Sequence, residues 1–210
     1  MGSDRPDLSP IAGLYDESLR SHGDTPMGVG WRTEDSQRLR FDKLLTVLEG
    51  HDGGPIEVND LGCGYGALFQ HLEQRGTPVA SYVGYDISDD MLRAAAQRVP
   101  RERARLVRSD TVTLDGDYSF ASGIFNVRLE ADEEAWSAYV RATVRNLAAH
   151  SRRGFAFNLL TTYCDYQEAH LFYGDPRWWF DWCKREVTSR VAVLHDYPLF
   201  EWTLVGRVGS

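Results

Sequence analysis

The chain is poor in cysteine and has no long apolar run, and each shortage excludes a class of protein. It has three cysteines, Cys63, Cys164 and Cys183, whose spacing provides no paired ligands. Such an odd, sparse count favours a reducing compartment over a disulfide framework. No segment approaches the ~20 apolar residues of a membrane-spanning helix, and a polar start with Asp4 and Arg5 is unlike a signal peptide. We therefore expect a cytoplasmic protein with no membrane partner.

Positive charge is also scarce. Lys and Arg total 23 against 31 Asp and Glu, so the formal net charge is −8. Affinity for nucleic acid comes mainly from Lys and Arg contacts to phosphates, and basic residues cluster here only locally, at 98–108 and at Arg152-Arg153. We therefore expect a small-molecule substrate and no nucleic acid.

Several catalytic signatures are missing. There is no G-x-S-x-G nucleophile turn, no H-E-x-x-H pair and no paired-cysteine metal spacing, which argues against hydrolase functions. No tyrosine has a lysine four residues later, so the Tyr-x-x-x-Lys pair of one type of nicotinamide-dependent oxidoreductase is absent as well.

The most informative segment runs from Val58 to Phe69. An apolar run ends in the acid Asp60, glycines follow at alternate positions, and a helical pattern then begins. This arrangement holds a nucleoside-containing cofactor at the first strand-to-helix turn of an α/β sheet, because glycine lets the backbone approach a ligand closely. Gly62-x-Gly64-x-x-Ala67, with Asp86 about twenty residues later, also satisfies the dinucleotide fingerprint. The motif alone therefore leaves a nicotinamide cofactor open.

The chain beyond the glycine segment alternates strands with helices. Apolar patterns predict strands at 56–61, 80–86, 104–109, 118–126 and 154–161, with helices at about 66–75, 88–98 and 132–149. Two alternating runs, 187–195 and 200–208, flank a short turn and predict an antiparallel hairpin. The pattern predicts an α/β fold with a Rossmann-like, seven-stranded, mostly parallel sheet covered on both faces.

The first quarter of the chain has a different pattern. Residues 1–12 have few apolar anchors and are expected to fray, and helices are predicted at 12–21 and from Thr33 to about Leu48. The Gly- and Pro-containing segment at 51–55 ends this part. We expect one domain over 1–210, with an N-terminal helical cap at 1–54 and a Rossmann-like core at 55–210.

The fuller pattern Asp60-x-Gly62-x-Gly64-x-Gly66 resembles motif I of the class I S-adenosylmethionine-dependent methyltransferases. Segments 82–88 and 106–110, each with an acid near its end, resemble that family's second and third strands, and the terminal hairpin is a hallmark of the family. The resemblance runs from about residue 56 to the C-terminus. The fourth strand departs from it, because 125–129 lacks the Asn/Asp-Pro-Pro-aromatic motif that would point to an amino-group acceptor.

The resemblance implies S-adenosylmethionine as cofactor, S-adenosylhomocysteine as product, and a set of binding residues. The glycine loop would pack on the methionine part, an acid would hold its ammonium, a second acid the ribose hydroxyls and a third the adenine amino group. Two apolar side chains would sandwich the adenine, and the fourth strand end would face the transferable methyl. In chain order these residues are Asp60, Gly62, Cys63, Gly64, Gly66, Asp86, Ile87, Met91, Asp110, Thr111, Gly123 and Asn126.

The acceptor half has weaker signals. Aromatic and polar side chains in the cap and after the fifth strand are candidates to bind substrate: Tyr15, His22, Trp31, Tyr163 and Tyr173. His170 is the first choice for a general base, with Tyr166 beside it and His195 at a strand end as the second choice. A structural histidine and packing aromatics are the alternative interpretations. Acids at the fourth and fifth strand ends are too few for a metal, so we predict none.

These patterns predict transfer of a methyl group to an oxygen or nitrogen of a small molecule by in-line displacement. One alternative is a protein that binds the cofactor without methylating, in a regulatory role. A nicotinamide-dependent oxidoreductase is the other. Oligomeric state is left open, with a homodimer as one option.

Overall fold

The structure is a computed structural model that describes residues 5–31 and 33–209. Its helices are α1 (Ser9–His22), α2 (Glu34–Leu44), α3 (Ala67–Gln74), α4 (Asp89–Ala95), α5 (Glu133–Ala149) and α6 (Pro176–Glu186). Its strands are β1 (Ile56–Leu61), β2 (Val79–Asp86), β3 (Ala104–Arg108), β4 (Gly116–Ala121), β5 (Ser151–Thr161), β6 (Tyr173–Gly174), β7 (Arg190–Leu194) and β8 (Glu201–Arg207). Two 3-10 turns, Pro26–Val29 and Leu45–Leu48, flank α2.

The strands form one twisted sheet in the order β3-β2-β1-β4-β5-β8-β7. All neighbours are parallel except β8, which runs antiparallel to both β5 and β7. The α/β class, the mostly parallel sheet and the C-terminal hairpin are therefore confirmed. Within the described residues the sheet has eight strands rather than the predicted seven, because β6 pairs with Leu160 and Thr161 at the end of β5. Two residues are too few for a periodic pattern to reveal a strand.

The register aligns the carboxyl ends of the central strands. Asp60 near the end of β1 pairs with Gly84 of β2 and with Phe120 of β4. The chain order reverses between β1 and β4, and open α/β sheets bind ligands outside the strand ends at such a reversal.

Apolar side chains bury both faces of the sheet, as expected for parallel strands. Large side chains of α5 and α6 pack on one face, including Trp136, Val140 and Trp179. Side chains of α2 and α3 pack on the other, including Leu44 and Phe69. The sheet therefore lies between two helical layers that pack against its two faces.

Several boundaries differ from the sequence prediction, and two of them have a clear physical reason. β4 ends at Ala121 rather than at 126, because the Gly123 N–H leaves the ladder and donates to the side chain of Asn158 at 2.7 Å. α1 begins at Ser9, so residues 9–12 are helical rather than frayed. Pro10 fits the first turn, where no N–H is needed, and Ile11 is buried. Residues 1–4 of that expectation lie outside the described residues.

Candidate active site

A cavity opens at the carboxyl ends of β1, β2 and β4, and we call it the central cavity. It encloses about 940 Å³ of space, part of it open to solvent. The glycine loop at 62–65 forms its floor, and α1, the 26–31 segment, α2 and α5 contribute walls. Among the described residues that line it there are three acids and no lysine, arginine or histidine.

The glycine loop is fixed by backbone hydrogen bonds. The N–H groups of Gly62 and Cys63 both donate to the Tyr85 carbonyl, at 2.8 and 2.9 Å. Gly62 has φ +75°, and a Cβ there would lie 2.0 Å from a methyl of Ile124. Gly64 has φ +52°, and its Cβ would lie 3.1 Å from Val29. Side chains at these positions would strain the turn and crowd the cavity.

Asp60 lies at the loop's entrance and is buried. The Tyr82 hydroxyl donates to its carboxylate at 2.5 Å. Burial raises the pKa of Asp60 to about 7, against the lowering effect of the Tyr82 hydrogen bond, and the nearby charge of Asp86 adds to the rise. Burial therefore holds this carboxyl close to its titration midpoint at neutral pH.

Asp86 ties the end of β2 to the glycine loop. One carboxylate oxygen accepts from the Gly64 N–H and the other from the Ser88 N–H, each at 2.9 Å. Burial raises the pKa of Asp86, although these hydrogen bonds oppose the rise. The Tyr15 hydroxyl of α1 also faces this region. Burial, with a smaller contribution from the charge of Asp86, raises the pKa of Tyr15 to about 12.

The side chains that follow β2 and β3 form the next part of the wall. Ile87, Met91 and Asp110 line the cavity, and Asp110 pairs with Arg5 at 3.1 Å. Thr111 is not among the lining residues; its N–H donates to the hydroxyl of Ser109, which does line the cavity.

The end of β4 is braced by buried polar groups. Gly123 lines the cavity, and its partner Asn158 donates to Glu201 at 2.7 Å. Glu201 is also paired with Arg40, whose guanidinium carbon lies 3.8 Å from the centre of the Trp31 ring. The same chain of contacts therefore supports the turn at Gly123 and the Trp31 wall. Asn126 is buried but lies outside the cavity lining, and Gly66 caps α3 beside Val99.

The structure separates the predicted substrate-binding residues into two groups. Tyr15 and Trp31 line the central cavity. His22 is exposed at the end of α1, Tyr163 is 56% exposed, and the Tyr173 hydroxyl accepts from the Glu168 N–H. These last three side chains do not line the cavity, so they lie apart from the residues predicted to bind the cofactor.

The predicted catalytic side chains also lie outside the cavity. The carbonyl of His170 accepts from the N–H groups of Arg128 and Leu129, while its imidazole is exposed. Tyr166 is 66% exposed, and the His195 ring packs on Tyr163 with 5.8 Å between ring centres. Their catalytic roles stay predictions.

Several residues of the wall were not predicted from the sequence. Trp136 and Tyr139 of α5 look like an ordinary core stripe at helical spacing, and their rings do pack in the core. Gln37 and Phe41 of α2 and Tyr65 of the loop have no local signal. Only the packing of α2 against the loop brings them to the site.

No group of three or more His, Cys, Asp or Glu side chains suited to a metal ion occurs within residues 5–31 and 33–209. Across the same ranges, no helix has the length and apolarity needed to cross a membrane.

The central part of the chain matches a known family. A family model described as "Methyltransferase domain" matches residues 58–151, from β1 to the start of β5. A Mycobacterium tuberculosis protein provisionally named as a methyltransferase is 47% identical over 159 residues, which cover 74% of this chain and 95% of that protein.

Solved structures share the fold at low sequence identity. A magnesium protoporphyrin IX methyltransferase from Synechocystis, with S-adenosylhomocysteine bound, has a TM-score of 0.68 at 14% identity, over 97% of this chain and 100% of its own. An S-adenosylmethionine-dependent methyltransferase from Leishmania major has a TM-score of 0.65 at 15% identity, over 97% of this chain and 87% of its own. At such identities the similarity concerns the fold.

Proposed function

The chain belongs to the class I S-adenosylmethionine-dependent methyltransferases, and from that premise we propose that it methylates an oxygen or nitrogen of a small-molecule acceptor. The observation that carries the proposal is the central cavity, where the glycine loop and the acids after β1, β2 and β3 line one space. The cofactor of the family is S-adenosylmethionine.

The residues of the cavity fit the functional groups of that cofactor. Asp60, whose pKa is about 7, would hold the ammonium of the methionine part. Gly62 and Gly64 leave room for the aliphatic chain of that methionine part. Each oxygen of Asp86 accepts one backbone N–H and keeps a second lone pair for a ribose hydroxyl. Asp110 would accept from the adenine amino group.

The adenine and methyl ends of the cavity complete this assignment. Ile87 and Met91 would hold the faces of the adenine, with the Thr111 backbone beside it. Gly123 at the end of β4 would face the reacting methyl group, and Asn126 would lie behind it. Cys63 and Gly66 would act by shaping the loop.

The chain's contribution to methyl transfer is alignment and exclusion of water. When bound, the cofactor supplies the electrophilic methyl group and its leaving group. Trp31, Phe41 and Ile124 give the cavity an apolar wall, and the contacts of Asn158 with Gly123 and Glu201 keep the strand end in place. A general base is required only for an acceptor that must lose its proton early.

The acceptor end of the cavity supports a small, largely uncharged molecule. Its described walls are aromatic and aliphatic and contain no basic side chain that would pair with a phosphate or carboxylate. The net charge of −8 disfavours nucleic acid. The Synechocystis protein, which shares this fold, is named for the small molecule magnesium protoporphyrin IX. Tyr15 and Trp31 are the proposed contacts, and His22, Tyr163 and Tyr173 stay candidates for a larger acceptor.

His170, Tyr166 and His195 stay the proposed bases, since β5 ends at the same edge of the sheet as β4. We propose one domain over 1–210, in which the described residues of the cap at 1–54 cover the cofactor site of the core at 55–210. The three free cysteines support a cytoplasmic location.

Calorimetric titration tests the cofactor assignment. S-adenosylmethionine and S-adenosylhomocysteine should bind in the micromolar range, and NADH should not bind. Binding of NADH alone would overturn the assignment. A panel of alcohols, phenols and amines with methyl-labelled cofactor then tests the acceptor class.

A role in cofactor binding without methylation is the second candidate. It is favoured by the position of His170, Tyr166 and His195 outside the cavity lining. Tight cofactor binding with no label transferred to any acceptor class would support it, whereas transfer to one class would exclude it.

A further inference from the structure

The methionine part of the cofactor carries an ammonium and a carboxylate, and the acids of the central cavity account only for the first. Asp60 and Asp86 lie next to the glycine loop, and no described cavity-lining residue is a cation. A carboxylate that leaves water needs donors in return. The donors that the described walls offer beside the loop are therefore neutral ones.

Gln37 is placed to be such a donor. This residue of α2 is 95% buried, since only 5% of its surface is exposed, and it lines the cavity. Its Oε1 accepts from the hydroxyl of Tyr65 at 2.9 Å, and Tyr65 lies between Gly64 and Gly66 in the loop. Because Oε1 is used in this way, the Nε2 group and its two N–H donors point away from Tyr65. No described residue accepts a hydrogen bond from Nε2.

A neutral donor suits this position better than a cation would. Lysine or arginine here would pair with Asp60 or Asp86 and would compete with the ammonium of the ligand. A carboxamide donates to a carboxylate without neutralising the neighbouring acids.

We propose that the Gln37 carboxamide donates hydrogen bonds to the carboxylate of the cofactor's methionine part, and that Tyr65 is the positioning residue that orients it. This assignment rests on the proposed function, because it takes S-adenosylmethionine as the ligand. Gln37 thereby becomes a binding residue that discriminates the intact cofactor from analogues without the carboxylate.

The test compares S-adenosylmethionine with decarboxylated S-adenosylmethionine, which lacks only the carboxylate, by calorimetry. Gln37→Met should weaken binding of S-adenosylmethionine by roughly ten- to a hundredfold, as for a lost hydrogen bond to a charged group. It should leave binding of the decarboxylated analogue within about twofold of the unmodified protein. Gln74→Met, on the exposed side of α3, is the matched control and should change neither.

Gln37→Glu gives a sharper result, because the new charge acts oppositely on the two ligands. The substitution should weaken binding of S-adenosylmethionine further. It should strengthen binding of the decarboxylated analogue, which keeps its ammonium. Tyr65→Phe should cause a smaller loss for S-adenosylmethionine alone. Circular dichroism and thermal unfolding show whether each variant is folded.

Equal losses for both ligands in folded Gln37→Met would overturn the inference, because Gln37 would then have only a structural role. Unchanged affinity for S-adenosylmethionine would overturn it as well. Failure of the unmodified protein to bind S-adenosylmethionine is a separate outcome, and it would overturn the proposed function itself.

Discussion

At the scale of single residues, the Asp86 carboxylate ties the glycine loop to the end of β2, and we propose that it also binds the ribose. It accepts hydrogen bonds from the backbone N–H groups of Gly64 and Ser88, and Asp86 lines the cavity. We expect Asp86→Ala to weaken S-adenosylhomocysteine binding by about 1.5–3 kcal/mol, the usual cost of a lost charge-assisted hydrogen bond. Calorimetry on the folded variant measures this loss. Asp89→Ala, an exposed acid one turn away, is the control. Unchanged affinity in Asp86→Ala would contradict the ribose assignment.

Asp60 gives the site a pH dependence. Burial raises its pKa to about 7. An ammonium partner would lower this pKa again, so cofactor binding would release a proton below that pH. Cofactor affinity should therefore rise with pH up to about 7, by at most about tenfold per pH unit, and then level off. Titrations in buffers of different ionisation enthalpy count the released protons.

Asp60→Asn is the control for this pH dependence. The variant cannot titrate at this position, so its cofactor affinity should be weaker and flat with pH in the same window. If the slope persists in the variant, a group other than Asp60 is responsible.

At the scale of elements, the glycine loop is defined by backbone shape. Gly64→Val would add a branched side chain at φ +52° and against Val29, so binding should be abolished while the fold persists. Gly76→Val is a matched control, because Gly76 has φ +69° with no atom within 4 Å of its Cβ position. Both variants should lose about 1–2 kcal/mol of stability from backbone strain, but only Gly64→Val should lose the ligand. Equal cofactor binding by the two variants would contradict the proposed role of the glycine loop in binding the cofactor.

Helices and strands were predictable from the sequence where a local pattern of apolar residues marks both their type and their ends. β1 is found at 56–61 as predicted, because its apolar run stops at an acid and glycines. Asp60, Asp86 and Asp110 share one cavity because strand ends of a parallel sheet meet at one edge.

Contacts that depend on tertiary packing were not predictable. Gln37 meets Tyr65 only because α2 packs against the loop. The strand-end rule predicted His170 at this edge of the sheet but could not show the orientation of its imidazole. There the backbone pairs with the 127–129 segment and leaves the imidazole exposed.

At the scale of the whole molecule, a buried ion pair joins helix α2 of the cap to strand β8 near the C-terminus. Arg40 of α2 and Glu201 of β8 are 161 positions apart, and Glu201 is only 1% exposed. Glu201→Ala would leave the guanidinium buried without its partner, at a cost of about 3–5 kcal/mol in the free energy of unfolding. Urea denaturation measures the change.

The exposed pair of Arg185 and Asp181 is the comparison for this ion pair. Asp181→Ala should cost about 0–1 kcal/mol, because solvent screens surface charges. A similar, small effect for both substitutions would mean that the buried pair contributes little to joining the cap and the sheet.

The acidic character of the central cavity also bears on how a turnover ends. The described walls contain three carboxylates and no cation, so the interior favours a positively charged guest over a neutral one. Donation of the methyl group converts a sulfonium into an uncharged thioether. The three carboxylates would therefore hold a sulfonium more strongly than an uncharged thioether, which would favour replacement of used cofactor by fresh cofactor.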